Sequence, residues 1–260
     1  KKQFGGGWPS YGFCFDPSIN GQIHYNGSAA LTTAFCLEAL TLYNHKSPPS
    51  KKTLYNLDEE DQLHHQIIAS AKNRFVDFDS DFQHRLNLWM DKVINFDHSH
   101  QITLLPFRFF QSLTKNKLIN PEFLLRLGLA NLMGWVAYTI YDNFLDSEAD
   151  PIDLPIANVA LRELTDNYAD IDVPFSTIMD QIEQANFWEV ANCRNFDKLP
   201  FWQDYNKLAD RSFGHALGPL ALLISQGYTP LSLEFQTVSN FFQHYLIAKQ
   251  LNDDAHDWEE

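Results

Sequence analysis

Residues 122–146 are apolar around most of the circumference of a helix. Leu124, Leu125, Leu127, Leu129, Leu132, Met133 and Val136 leave no polar face wide enough to meet water. Such a helix has to be covered on several sides, which predicts a central helix with others packed round it. Pro121 stands at the favoured first helical position, and Pro151 and Pro155 close the stretch.

The rest of the chain from about residue 55 follows the same period. Asp58-Glu-Glu-Asp61 opens a helix that runs through Ile68, and Phe82 to Ile94 carries Leu86, Leu88, Trp89, Met90 and Val93. Further helices are expected over 155–168, 175–190 and 208–226, with a last one from about Pro230 onward. No convincing alternation of period two appears, so the fold class is all-α.

Residues 1–45 read differently. Gln3-Phe-Gly-Gly6-Gly-Trp8 is rich in turn formers, and an apolar helix follows over 28–40, with Gly27 and Ser28 as its start signals. Lys46-Ser-Pro-Pro-Ser-Lys-Lys52 has the composition of a linker. The expected organisation is residues 1–45, a linker over 46–57, and a helical domain over 58–260. The chain begins with Lys1 and stops inside a charged helical motif, as a piece of a longer polypeptide would.

Two carboxylate clusters stand at the tails of apolar helices. In Asp142-Asn-Phe-Leu-Asp146 the two aspartates are four apart, so on a helix they share a face, with Cβ atoms ~5–6 Å apart. Like charges there repel, and a helix C-terminus favours cations over anions. Magnesium relieves both costs, since it takes carboxylate and phosphate oxygens together. The plainer alternative is a solvated acidic helix end. The second cluster is Asn252-Asp253-Asp254-Ala-His256-Asp257-Trp-Glu259-Glu260. Asp253, Asp257 and Glu260 share one helical face, and Asn252, His256 and Glu260 another. The run also contains a literal DDxxD, Asp253, Asp254 and Asp257. A solvated acidic helix is again the alternative.

A diphosphate between two such clusters needs cationic donors. Lys207 and Arg211 are four apart, and Arg holds phosphate in a bidentate fork. A surface pair is an equally good account of them. Arg126, Arg162 and Arg194 are weaker candidates. Trp135, Tyr138, Tyr141, Phe144 and Phe187 could present π faces to an allyl cation, although aromatics at helical spacing are more often core.

Other motifs fail on their own terms. Asp77-Phe-Asp79-Ser-Asp81 opens like a calcium loop, but Phe82 stands where Gly is required and Leu88 where Glu is required. His64-His65 and His98-Ser-His100 lack partner ligands at recognisable spacing. Cys14, Cys36 and Cys193 form no CxxC and no even set, so neither a disulfide framework nor a zinc site is indicated, and a reducing, cytoplasmic setting fits. A net charge of −14 argues against nucleic acid and anionic lipid. No uninterrupted apolar run approaches the ~20 residues of a membrane span.

Residues from about 60 to 260 resemble the class I isoprenoid synthases: terpene cyclases, squalene/phytoene synthases and chain-elongating prenyl transferases. Asp142-Asn-Phe-Leu-Asp146 is similar to their first Asp-rich motif. Gln250-Leu-Asn-Asp-Asp-Ala-His-Asp257-Trp-Glu-Glu260 is similar to the second motif, and also to the Asn/Ser/Glu metal triad of terpene cyclases with His256 in the Ser place. Arg211 lies at roughly the distance of the diphosphate-sensing Arg of those cyclases. Residues 1–45, with Gln3-Phe-Gly-Gly6-Gly-Trp8, resemble the end of a class II, squalene–hopene-type cyclase, without its catalytic Asp motif.

The resemblance implies a class I helical bundle using Mg2+ to ionise a prenyl diphosphate and cyclise the allyl cation. Asp142, Asp146, Asn252, Asp253, Asp254, Asp257 and Glu260 would hold the metal. Arg211 and Lys207 would neutralise the leaving group, and Tyr138 and Phe144 would touch the substrate. Prenyl coupling is the alternative chemistry. A non-catalytic scaffold for a class II domain, fused or associated, is the alternative outside catalysis. A second copy of the chain is a further partner.

Overall fold

The computed structural model describes residues 14–15, 23–24, 57–113, 119–145, 148, 150–192 and 205–254. Nine α-helices make up most of these residues: α1 (Leu57–Asn73), α2 (Ser80–Phe96), α3 (Gln101–Leu113), α4 (Pro121–Leu145), α5 (Leu154–Tyr168), α6 (Phe175–Asn192), α7 (Tyr205–Arg211), α8 (Leu217–Ser225) and α9 (Leu233–Asp254). Short 3-10 turns cover Pro151–Asp153 and Phe213–Ala216. Near the N-terminus, β1 (Cys14–Phe15) and β2 (Ile23–His24) pair antiparallel, Cys14 opposite His24. The remaining residues expected to form the N-terminal fragment and linker lie outside the described residues, Leu57 excepted. The fold class is all-α, as the periodicity predicts.

The chain divides into two compact units. One comprises residues 55–181 and 214–239; the other comprises 1–54, 182–213 and 240–260. The boundaries fall inside α6 and α9.

In the 55–181/214–239 unit, α4 is the central helix. Ten of its residues are buried, including Leu127, Leu132, Met133, Val136 and Ile140. It packs against α1, α2, α3, α5 and α8. The core round it takes Ile67, Ala71 and Phe75 from α1, Leu86, Met90 and Val93 from α2, Ile102 from α3, and Ile156, Ala157 and Ala160 from α5. By length and composition α4 also matches a membrane-crossing helix. The sequence reading, which sought an apolar run, passed over this, because polar and small residues interrupt the run while its average stays high enough.

Close approach at the centre requires small residues. A Cβ on Gly128 would lie 2.4 Å from Ile67 Cδ1 and 2.7 Å from the Thr103 carbonyl oxygen. A Cβ on Gly218 of α8 would lie 2.7 Å from Pro106 Cγ of α3. The absence of side chains there is what lets α4 meet α1 and α3, and lets α8 meet α3.

Helix α3 was not anticipated, because Pro106 sits inside it. Proline has no N–H, so the Ile102 carbonyl four residues back loses its helical donor. Asn131 of α4 replaces that donor: its Nδ2 donates to the Ile102 oxygen at 2.5 Å. The break is repaired across a helix–helix contact.

The single helix expected over 208–226 is instead α7, a 3-10 turn and α8. Pro219 explains the break. In a continuous helix its ring would clash with the carbonyl of His215; as the third residue of α8 it lacks only an N–H that has no helical partner anyway. The end at Gln226 is as expected. Gly227 takes φ +87, Gly227 N–H donates to the Ile224 oxygen and Tyr228 N–H to the Leu223 oxygen, a Schellman closure.

The discounted calcium-like segment also finds a role. Asp79 is the N-cap of α2, its Oδ1 accepting from the backbone N–H of Asp81 at 2.9 Å and of Phe82 at 3.4 Å. Further on, Arg85 of α2 forks onto buried Asp153, and its Nη2 lies 3.7 Å from Asp150. Burial raises the Asp153 pKa, but the hydrogen bonds from Arg85 and Trp89, with the Arg85 charge, together hold the carboxyl below its ordinary range.

Candidate functional site

The first carboxylate motif stands where α4 leaves the core. Ile140 is buried, Tyr138 and Tyr141 are half-buried, and Asp142 and Phe144 are exposed. The change occurs within one turn, so the last turn of a core helix offers its polar side chains to solvent. Tyr141 donates its hydroxyl to Asn158 Oδ1 of α5 at 2.9 Å, and the Tyr138 and Tyr141 rings meet edge to face with centroids 6.1 Å apart. These contacts fix the direction of the last turn. Asp146 lies outside the described residues.

A cation that sequence spacing did not single out joins this turn. With its amide oriented to satisfy both ends, Asn143 donates to the Thr139 oxygen at 3.2 Å and accepts from Lys92 Nζ of α2 at 2.7 Å. Lys92 also lies over the Trp89 ring, 4.7 Å from its centroid. Only tertiary packing brings α2 to this end of α4, so no local pattern could have pointed to Lys92.

The second motif begins in the last turn of α9, which includes Asn252, Asp253 and Asp254. Their side chains, and all of His256, Asp257 and Glu260, lie outside the described residues. Just before it, within the unit of 182–213 and 240–260, Arg211 at the end of α7 reaches both neighbouring helices. Its Nη1 is 2.5 Å from Glu189 Oε1 of α6, and its Nη2 donates to Gln250 Oε1 of α9 at 3.3 Å. Helix α7 is tied to α9 a second time: Gln243 Nε2 donates to Asp210 Oδ1 at 2.8 Å and to the Asn206 oxygen at 3.2 Å. Lys207 is exposed and lies over the Trp188 ring at 4.9 Å. Arg211 thus touches α9, and the sequence reading missed Glu189, which already neutralises much of that charge.

The weaker candidates separate. Arg126 donates to the Asn167 carbonyl at 2.6 Å and forks onto Asp170, which fastens α4 to the end of α5. That hydrogen bond holds the Asp170 carboxyl below its ordinary range. Arg194 lies outside the described residues. Of the aromatics, Trp135 is half-buried with its ring edge-on to His215, centroids 5.1 Å apart, whereas Phe187 is 76% exposed.

Among the described residues, no three His, Cys, Asp or Glu side chains are arranged to hold a metal ion. The donor types at the two helix ends, carboxylate and amide oxygen, are those that suit magnesium. A hollow of about 340 Å³ at the end of α5, lined by Thr165, Tyr168 and Phe175 among others, contains none of the candidate residues. Compared with protein-family models, curated proteins and solved structures, the chain matches none.

Proposed function

We propose that this chain is a magnesium-dependent class I terpene synthase that ionises a prenyl diphosphate and cyclises the resulting allyl cation. The observation that carries the reading is the contact of Arg211 with Gln250. It sets a guanidinium one residue before Leu251 and the Asn252-Asp253-Asp254 run, on the helix that bears them. A cation beside a carboxylate cluster that has no surplus of positive charge is what a metal–diphosphate pair requires. Asp142, exposed at the end of the core helix, supports it from the first motif.

In this reading Asp142, Asp146, Asn252, Asp253, Asp254, Asp257 and Glu260 would hold the metal. Bound magnesium would supply charge stabilisation where the leaving diphosphate becomes anionic. The chain's own side chains do the remaining work. Arg211 exchanges part of its pairing with Glu189 for diphosphate oxygens, and Lys207 adds an exposed positive charge. Tyr138, Tyr141 and Phe144 offer ring faces at the first motif, which favour a nearby carbocation.

The test is incubation of the protein with magnesium and all-trans prenyl diphosphates of increasing length. Released diphosphate and hydrocarbon products are followed by mass spectrometry, with Asp142→Asn beside the wild type. A cyclised product of one substrate's mass, reduced at least 100-fold in Asp142→Asn, is expected. A product with the carbon skeleton of two substrates would replace cyclisation by coupling. No turnover by the wild type would leave the scaffold reading.

A further inference from the structure

His64 is the buried titratable group that the proposed chemistry does not use. It lies on α1, 6% exposed, and its Nδ1 is 2.7 Å from Thr103 Oγ1 of α3. Its ring stacks face to face on that of His100, centroids 3.8 Å apart and planes 4° from parallel. His65, next on α1, meets it edge-on at 5.6 Å.

His100 is held in an unusual backbone state to make this stack. It is the one non-glycine with positive φ among the described residues, at 55°, the left-handed region that L side chains rarely adopt. The turn round it is closed by the His100 N–H donating to the Asp97 oxygen at 2.9 Å. Asp97 also accepts the Ile102 N–H, at 2.5 Å, which caps the start of α3.

The charges facing His64 are few and mixed. Helix α1 contributes Asp61, which is exposed, and His65; the turn contributes Asp97 and His100. Glu60 of α1 is engaged by Arg108 of α3, which also donates to the Ser99 oxygen at 2.8 Å. From α4 the nearby residues are Gly128 and Asn131, neither charged. Among the described residues no carboxylate is hydrogen-bonded to the His64 ring, so a proton there finds the face of a second imidazole and a threonine hydroxyl.

We propose that the His64–His100 stack is an acid-sensitive latch that holds the α2–α3 turn against α1 and releases it when His64 is protonated. The stack is sound only while the buried ring is neutral, because a charged imidazolium would be desolvated against another basic ring. Release is local. The Asp97 cap and the Arg108–Glu60 pair do not depend on His64, so α3 persists, with Ser99 still held by Arg108, while the His100 ring leaves α1 and the turn loosens.

The direction follows from linkage. Burial, then His100 and His65, lower the His64 pKa from 6.5 to about 4. The unfolded or released chain therefore binds the proton more readily. The latch's stabilisation is fully present above pH ~6.5 and is lost as the pH falls towards 4. Each pKa unit is tenfold in the equilibrium, so the closed turn should lose on the order of a hundredfold across that window.

The test uses the whole chain and His64→Phe, which keeps a ring in the pocket but takes up no proton. Thr103 keeps a partner in the variant, since its hydroxyl already donates to the His100 oxygen at 3.3 Å. Unfolding equilibria and amide exchange at residues 97–104 are measured from pH 7.5 to 4.5. Exchange at 97–104 should rise about 100-fold more in the wild type than in the variant, and before it rises in α4, while the unfolding equilibria diverge by less because the released turn takes up the proton without global unfolding. Equal pH dependence in both chains would overturn the latch. Should the variant not fold, the imidazole resonances of the wild type decide: a His64 ring titrating near 6.5 with the turn still protected sinks the proposal, and one titrating near 4 as the turn opens supports it.

Discussion

Asn131 shows how one side chain can stand in for a backbone group. It supplies to Ile102 the donor that Pro106 withholds, so its worth depends on a residue in another helix. Replacement by Leu leaves a carbonyl without its donor in a half-buried crossing and should cost about 1–3 kcal/mol in denaturant unfolding. Pro106→Ala restores a backbone N–H at that position. In that background Asn131→Leu should cost less, and the double-mutant cycle should return a coupling of about 1 kcal/mol or more. Equal costs in both backgrounds would mean that the hydrogen bond contributes nothing beyond packing. Nothing in the local pattern announced this, since the two partners are 29 residues apart.

At the scale of elements, the central fact is how closely α4 meets α1 and α3 at Gly128. An exposed helical Gly→Ala change usually stabilises by up to ~1 kcal/mol. Here the added methyl would stand 2.7 Å from a backbone oxygen that cannot turn aside. Gly128→Ala is expected to lower stability by about 1–3 kcal/mol, read as a lower midpoint of thermal unfolding; a rise in the midpoint would show that α4 is free to shift. The sequence carried much of this architecture. The all-round apolar pattern of 122–146 located the central helix, and α5 and α6 begin within a residue of their expected positions, because proline and periodicity act locally. What it concealed was set by tertiary contact. Pro106 hid α3, Pro219 divided the helix expected over 208–226, and Glu189 meets Arg211, and Lys92 meets Asn143 of the first motif, only through packing. Of the carboxylates, Asp142 is exposed at a helix end, while Asp146, Asp257 and Glu260 lie outside the described residues.

For the whole molecule, a formal charge of −14 means that a divalent cation should be welcomed and a bare diphosphate repelled. If the proposed site forms, inorganic diphosphate with magnesium should stabilise the chain, and diphosphate alone should not. Ligand at 100 times its dissociation constant adds about 2.7 kcal/mol, visible as a raised melting temperature that Asp142→Asn removes. No shift with both ligands present would count against the site whatever the turnover result. The core itself has a consequence in time. Helix α4 is flanked partly by α8, whose Gly218 abuts Pro106, yet about 80 residues separate Leu145 from Ser225. A ribosome adding ~5–20 residues per second takes several seconds to cover that interval. During it this long apolar helix of the nascent chain emerges with one flank still bare, and that bare flank is where a holding chaperone would bind.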